Sequence, residues 1–387
     1  METLRVRALK NAEFVLSKVM GLGSQVADED FFSQLSSTNT TLRKEKVLIV
    51  SNSKTELGLV DLWCKAAQAL GLEWQHLFYD DTVPLEVIDE EKKIEEYIQR
   101  VELAKADVCI RLATDCVNMC RSLCDYASSV GLRTAEMPGL TIDSLASPAI
   151  TESPEAMLQR ETELLNYLHD IRWLIFSSGD GTFLQIGLDP SEPWQSDPSS
   201  FRGFYEDGTV PVDNFPGREL YKNVARQEVE GQVVLDALDT YVEPFGIVDS
   251  PVVLKFHHGR LVLIEGANSA RRLIRYISET SKGDMDCDAA FGVGEIAIGL
   301  NYKADWYSRA LSIPTLIVEK SPRFHFALGA SSIWNSCLVN LANVAYSAVH
   351  LDIVLLRKHQ VGAIYPDGSQ RLLFGAAGSI ERYGQSA

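Results

Sequence analysis

The sequence is poor in basic residues, with 36 lysines and arginines against 53 aspartates and glutamates and a formal net charge of −17. Such a surface repels phosphate backbones and anionic lipid head groups, which argues against nucleic-acid and membrane partners. No apolar run is long enough for a membrane helix, and residues 1–20 contain neither a continuous apolar core nor a small-residue cleavage site. We therefore expect a cytoplasmic protein acting on a small molecule or short peptide.

Zinc-type CxxC pairs and glycine-rich phosphate loops are also missing. The seven cysteines are an odd number in a chain without a secretion signal, which favours reduced thiols. Cys116, Cys120 and Cys124 recur every four residues, a spacing that favours one packed helix face over a metal site. The first strand-like segment, KVLIV, leads into SNSKTELG, which contains neither GxGxxG nor GxxxxGK[ST]. No nucleotide cofactor is expected.

The pattern of secondary structure predicts an α/β fold with two domains. A chain of 387 residues exceeds what one hydrophobic core usually supports. Strand-like and helical segments alternate in the first half, which predicts a parallel α/β domain over residues 1–165. Short strands with hairpin turns at Gly259 and Asp367-Gly368 predict a β-rich α+β, metal-binding domain over residues 166–387.

His350 and Asp352 place two metal-capable side chains in the apolar stretch SAVHLDIVLL. Because side chains alternate along a strand, these two point to the same face while Leu351 and Ile353 point to the other. A carboxylate on a mostly apolar face is costly to bury unless it meets a cation or hydrogen-bond donors. Taken alone, the pair also fits a half-wet strand without a metal.

Three other segments add candidate ligands: Glu219 in NFPGRELY, Glu295 in FGVGEIAIGLN and His325 in RFHFALG. With His350 and Asp352 they form a mixed oxygen and nitrogen set that suits zinc, manganese, cobalt or iron(II). Five ligands exceed one catalytic zinc and fit two ions sharing a bridging carboxylate. Singly, Glu219 also fits a solvated loop acid, and His325 fits a core histidine.

Several segments of the chain recur in a fixed order in a known family: Phe215–Glu219, Glu295–Asn301, Glu319-Lys320, His325–Gly329 and Ser347–Asp352, with Gly181-Thr182-x-Leu184 upstream. In this order they resemble the M29 metallopeptidases, the family of aminopeptidase T and aminopeptidase S. The resemblance implies a homodimer with two divalent ions, held here by the five candidate ligands. The chain departs from the family at Ser332, where the family has a tyrosine ligand, at Pro322-Arg323 and at Tyr221-Lys222-Asn223.

A second resemblance is to the 2,5-dihydroxypyridine 5,6-dioxygenases, ring-opening iron enzymes of similar fold. They share a His-Leu-Asp-Ile element like His350–Ile353 and a stretch like Asp305-Trp306. They carry histidine where this chain has Glu295, which completes two histidines and one carboxylate around one iron. In this chain His325 would have to supply the second imidazole.

The leading prediction is a metal-dependent hydrolase of the M29 type that cleaves an amide or N-terminal peptide bond with a metal-activated water. Glu295 is the candidate catalytic ligand and Glu319 the candidate proton shuttle, although Glu319 could instead form a salt bridge with Lys320 or an arginine. The cofactor would be zinc, cobalt or manganese. The alternatives are a mononuclear iron(II) ring-cleaving dioxygenase and a non-catalytic metal-binding relative.

Overall fold

The computed structural model describes most of the chain, and among its described residues no helix is long and apolar enough to cross a membrane. Predictions that concern Cys116, Cys120, Asp305, Trp306 and Ser332 lie outside these residues. The described residues are 2–22, 45–79, 90–113, 121–198, 200–202, 208–225, 227–235, 240–242, 246–248, 250–282, 284, 288–304, 318–331, 345–355 and 359–374.

The described helices and strands alternate in the first part of the chain, and strands dominate the second. The α-helices are α1 (Glu2–Phe14, continued by a π-helical segment, Val15–Val19), α2 (Leu59–Ala69), α3 (Glu90–Ala104), α4 (Arg121–Val130), α5 (Ile142–Leu145), α6 (Pro154–Leu168) and α7 (Asn268–Thr280); short 3-10 segments are Pro148–Thr151, Ala289–Phe291 and Tyr302–Ala304. The strands are β1 (Lys46–Ser51), β2 (Glu73–Phe78), β3 (Val108–Arg111), β4 (Arg133–Glu136), β5 (Trp173–Ser177), β6 (Phe183–Gly187), β7 (Gln195–Ser196), β8 (Val212–Asn214), β9 (Glu219–Asn223), β10 (Val229–Leu235), β11 (Thr240–Val242), β12 (Gly246–Ile247), β13 (Val252–His257), β14 (Arg260–Gly266), β15 (Val293–Gly299), β16 (Phe324–Gly329), β17 (His350–Leu355), β18 (Gln360–Ile364) and β19 (Gln370–Phe374).

The chain forms two compact units. The first comprises residues 1–155 and 197–217, and the second comprises residues 156–196 and 218–387. The sequence placed the division at residues 165 and 166, inside α6, because a helix between two differently patterned regions gives no sign of the unit to which it packs. It also gave no sign that residues 197–217 return to the first unit.

The first unit contains the parallel sheet predicted from the alternation of strands and helices. Its strand order is β2-β1-β3-β4-β8, and every neighbouring pair is parallel. Strands β1, β3 and β4 are buried on both faces, as helix-covered parallel strands are. The predicted α/β class is confirmed.

The second unit contains two seven-stranded sheets with antiparallel pairing. Their orders are β14-β13-β10-β6-β5-β18-β19 and β12-β11-β17-β16-β15-β9-β7. One apolar core joins them: Phe176 packs edge-on against Phe324 at 5.8 Å, and Phe256 against Phe326 at 6.5 Å between ring centroids. Burying each such ring stabilises the fold by about 1.5–3 kcal/mol. The sheet containing β15, β16 and β17 therefore has its opposite face available for polar residues.

The predicted hairpins of the second half are confirmed. Antiparallel pairs join β13 with β14 around Gly259 and β18 with β19 around Asp367-Gly368, and a further antiparallel pair joins β5 with β6. The segment PTLIVEK is predicted from its sequence to be a short strand or strand end, and this is wrong for its described part, because Val318 and Glu319 form a helical turn and Lys320 follows in a turn. Its apolar, β-branched composition predicted a strand, and the local pattern could not show that the chain turns here.

Candidate metal centre

Four neighbouring strands place the predicted ligands on one face of the second antiparallel sheet. Residues that pair directly across antiparallel strands share a face. One such row runs through Asp352 in β17, Ala327 in β16, Glu295 in β15 and Asn223 in β9. Alternate residues, such as Ile296, belong to the core on the other face.

The remaining predicted ligands lie in the adjoining rows of the same face. His325 pairs with Ala297 of β15, His350 pairs with Gly329 of β16, and Glu219 pairs with Gly299 of β15. Each of these three ligands therefore faces an alanine or glycine on one neighbouring strand, and His325 also pairs with Val354 of β17 on its other side. These small residues leave the space above the sheet to the longer donor side chains.

A β-bulge at Gly294 determines which face Glu295 occupies. Val293 pairs with Leu328, whereas Glu295 pairs with Ala327, so β15 carries one extra residue at this point. A one-residue shift moves every later side chain of a strand to the other face. Glycine is required because a Cβ at position 294 would lie 2.4 Å from the carbonyl oxygen of Gly329. The bulge lets Val293 and Ile296 both enter the core while Glu295 faces the other donors.

The donor atoms form two groups that share Glu295. In one group, Glu295, His350 and Asp352 offer ligand atoms within 4.8 Å of one another; in the other, Glu219, Glu295 and His325 do so. All the donors are buried except His350, whose side chain is 40% exposed. The structure thus brings together all five residues predicted from the sequence, and their role as ligands stays a prediction.

His350 has the hydrogen bond typical of a metal-ligating histidine. Its Nδ1 lies 3.0 Å from the carbonyl oxygen of Ala330, which can only accept, so Nδ1 carries the proton. Nε2 then carries the ring lone pair and lies 3.7 Å from Asp352 Oδ1. Metal-binding histidines commonly donate their second ring N–H to a carbonyl in this way.

Glu219 is held ionised by two cationic neighbours. Its carboxylate accepts a hydrogen bond from Lys320 Nζ at 2.6 Å and lies 3.2 Å from His325 Nε2. Burial alone would raise the pKa of Glu219, but the Lys320 ammonium and His325 outweigh it and lower that pKa. Burial alone would lower the pKa of His325, but the hydrogen bond and charge of Glu219 raise it. In the metal-free protein at neutral pH, His325 is therefore a protonated imidazolium and Glu219 is an ionised carboxylate.

We expect the metal-free protein to lose stability as the pH rises from 6.5 to about 9. The pKa of His325 is raised from 6.5 to about 9, so above pH 6.5 the folded state retains a proton that the unfolded state has released. The stabilisation is complete below pH 6.5 and is lost as the pH passes about 9. Urea unfolding in the presence of a chelator, at intervals across this range, measures it.

The variant His325→Gln separates this titration from others. Burial lowers the pKa of Lys222 from 10.5 to about 8, so the folded state loses this proton at a lower pH than the unfolded state does. Lys222 therefore makes the free energy of unfolding increase as the pH rises above about 8, in the opposite direction to His325. Lys222 titrates in both proteins, so the difference in free energy of unfolding between wild type and His325→Gln reports His325 alone and should shrink from pH 6.5 to 9. A constant difference would contradict the assignment.

Glu319, the predicted proton shuttle, lies in the turn before β16 and outside both donor groups. Its carboxylate is 3.3 Å from Lys320 Nζ, which is the salt bridge that the sequence left open as the alternative. Lys320 thus bridges Glu319 and Glu219. Its backbone lies close to β15, because a Cβ on Gly299 would approach the Lys320 carbonyl carbon to 2.2 Å.

The sequence did not reveal the importance of two polar residues, Asn223 on this face of the sheet and Lys320 in the turn before β16. Asn223 is 1% exposed, and neither its Oδ1 nor its Nδ2 has a hydrogen-bond partner within the described structure. A period of two through Glu219, Tyr221 and Asn223 was the available signal, since it places all three on one face of a strand.

The residues present fit a divalent metal. Imidazole and carboxylate are the donors that zinc, manganese and iron(II) share, and the donor atoms already converge. His325 Nδ1 is buried and has no hydrogen-bond partner in the described part of the chain, so this nitrogen can bind a cation once the imidazolium has lost its proton. A third group, Glu230, His257 and His258, is largely exposed, and its members bond one another at the surface.

Two histidines and three carboxylates on one face of an antiparallel sheet define a candidate mixed-donor metal centre. The family model of the 2,5-dihydroxypyridine 5,6-dioxygenases, NicX, matches residues 29–323, and the chain belongs to this family. The match includes Glu219 and Glu295 and ends before His325, His350 and Asp352.

Among solved structures, the chain is similar to a 2,5-dihydroxypyridine dioxygenase from Pseudomonas putida KT2440. The TM-score is 0.63 and the identity 16%, over 98% of each chain. At this identity the likeness shows a common fold. A search among curated protein sequences gave no significant match.

The predicted M29-type aminopeptidase activity is wrong, because the family match is to dioxygenases and the comparisons give no support to a peptidase. Most of the motifs that suggested a hydrolase lie on or beside β9, β15, β16 and β17. They therefore indicate a shared arrangement of donors on a sheet, which several chemistries can use. The hydrolytic roles predicted for Glu295 and Glu319 are withdrawn with the activity.

Proposed function

We propose that the protein is a metal-dependent dioxygenase that opens the ring of a small, electron-rich N-heteroaromatic such as a dihydroxypyridine. The observation that supports it most directly is the group Glu295, His350 and Asp352, with ligand atoms within 4.8 Å, in a member of a dioxygenase family. The metal we propose is iron(II), because few-ligand imidazole and carboxylate sites with open positions suit non-haem iron oxygenases.

The two donor groups would have different roles, one binding the metal and the other exchanging a proton with the substrate. Iron(II), when bound, supplies the one-electron chemistry that lets dioxygen react with an aromatic ring. Glu295, His350 and Asp352 would hold it, with His350 oriented by Ala330 through its Nδ1 proton. The Glu219–His325 pair holds a proton at Nε2 of His325 and can exchange it with a substrate hydroxyl.

Protein purified anaerobically is expected to hold about one iron per chain and to take up oxygen with 2,5-dihydroxypyridine. The variant His350→Ala should lose both, because it removes the imidazole that faces Asp352. His169→Ala, which alters an exposed histidine outside both donor groups, should keep both. Metal analysis and an oxygen electrode measure the two quantities.

Iron retained by His350→Ala would show that the ligand set is wrong. A wild-type protein that binds metal but takes up no oxygen with any hydroxypyridine would instead indicate the non-catalytic metal-binding relative.

The homodimer implied by resemblance and the cytoplasmic location suggested by composition are part of the proposal. Neither enters the chemistry above, since every proposed donor belongs to one chain. Sedimentation analysis would establish the oligomeric state.

A further inference from the structure

Asn223 is a buried amide for which the described structure provides no partner. The residue is 1% exposed, and among the described residues neither of its side-chain polar atoms has a hydrogen-bond partner. The large majority of buried side-chain polar atoms in native proteins are hydrogen-bonded, since an unsatisfied amide in an apolar environment is costly. Leucine, of similar size, would fill the same volume without that cost. The amide is therefore explained by something that binds, rather than by folding.

The position of Asn223 indicates where that ligand lies. It pairs directly with Glu295 across β9 and β15, so the two side chains share a face with Cβ atoms about 5 Å apart. The same row continues through Ala327 to Asp352. Asn223 is thus one strand further along the row from Glu295, a proposed iron ligand, so a substrate that extended from the metal along this row towards β9 would meet it.

The chemistry of the amide favours an organic ligand over a second cation. A metal ion would use only Oδ1 and leave the Nδ2 protons unsatisfied, whereas a ligand edge with an adjacent donor and acceptor satisfies both atoms. A 2-hydroxypyridine in its lactam form has that edge, because its ring N–H lies next to its carbonyl oxygen.

We propose that Asn223 is the specificity-determining residue that binds the lactam edge of an N-heteroaromatic substrate. Oδ1 accepts the ring N–H, and Nδ2 donates to the 2-oxygen. This inference rests on the proposed function and adds to it a reason why the enzyme selects a nitrogen heterocycle over a dihydroxybenzene of the same shape. A site built for such a pair rejects ligands that leave its polar atoms unpaired.

The test compares anaerobic binding of 2-hydroxypyridine and its N-methyl derivative, which lacks the ring N–H, to wild type, Asn223→Leu and Asn223→Ala. Wild type should bind 2-hydroxypyridine about 10- to 100-fold more tightly than the N-methyl compound, and both variants should lose this preference. Asn223→Leu should also raise the Tm by about 2 °C, because it removes an unsatisfied buried amide.

A merely structural role predicts different results. If Asn223 supported β9, Asn223→Leu would lower the Tm and weaken both ligands equally, which would overturn the inference. A lactam preference that survives in both variants would overturn it as well.

Failure of the proposed function is distinguishable from failure of this inference. If wild type takes up no oxygen yet shows a lactam preference that Asn223→Leu abolishes, the dioxygenase activity fails and the role of Asn223 is supported. If wild type takes up oxygen and Asn223→Leu keeps the preference, only the role of Asn223 fails.

Discussion

Replacing Glu295 with glutamine is expected to remove the bound metal and to lower oxygen uptake by more than about 100-fold, while replacing it with histidine should preserve both. Loss of an outer-shell partner alone costs about 10- to 100-fold in metal affinity or activity, so loss of a ligand should cost more. Among the described residues, Glu295 is the member common to both donor groups, so its replacement removes a donor from each.

The histidine substitution is the informative half of the experiment. With His350 and Asp352 it would create two imidazoles and one carboxylate, a ligand set typical of non-haem iron(II) oxygenases. The dioxygenase resemblance places a histidine at this position. Metal content and oxygen uptake of Glu295→Gln and Glu295→His, measured side by side, show whether the position needs a donor of any kind or a carboxylate in particular.

Glu319→Gln is the matched control for Glu295→Gln. It makes the same chemical change at another buried carboxylate, 3.3 Å from Lys320 and outside both donor groups. It should keep its iron. If Glu295→Gln also keeps its iron, Glu295 is not a ligand. If Glu295→His loses its iron, the position requires a carboxylate, as it would if Glu295 bridged a metal to the Glu219 group.

The alternation of apolar and polar residues predicted which segments are strands, but not which face of the sheet each side chain occupies. His350 and Asp352 could be assigned to one face because β17 is regular. Glu295 could not be assigned to a face in this way, because the extra residue at Gly294 reverses the alternation. A bulge of this kind is defined by the pairing with the partner strand. Local sequence contains no information about that partner.

The donor types were readable from the sequence, whereas the reaction was not. Carboxylates and imidazoles in apolar strands predict a metal whatever chemistry follows, which is why an aminopeptidase was predicted from residues that belong to a dioxygenase family member. The roles of Lys320 and Asn223 depend on the tertiary fold: the lysine contacts Glu219 from the turn before β16, and the amide lies next to the donors because Asn223 pairs with Glu295. Such contacts are properties of the folded chain.

The largest effect on stability is expected in the first unit, at the ion pair between Arg111 and Glu136. These residues pair across β3 and β4, their charged atoms are 2.8 Å apart, and both side chains are 0% exposed. Glu136→Gln leaves the guanidinium buried opposite a neutral amide, and we expect a loss of about 3–5 kcal/mol, or roughly 10 °C in Tm. Chemical and thermal unfolding measure both.

An exposed pair of the same geometry is the control. Lys65 and Asp61 in α2 are 2.7 Å apart but more than half exposed, so Asp61→Asn should cost less than about 1 kcal/mol. The loss in Glu136→Gln should also persist in 1 M salt, because buried charges are little screened.

The double variant Arg111→Met, Glu136→Leu shows whether the stability lost in Glu136→Gln comes from an uncompensated buried charge or from altered packing. Removing both charges removes the desolvation cost together with the attraction, so the double variant should be more stable than Glu136→Gln, and it can equal the wild type. If the double variant is no more stable than Glu136→Gln, the loss arises from packing around Arg111, whose guanidinium lies 5.2 Å from the Tyr97 ring centre, and not from an uncompensated charge.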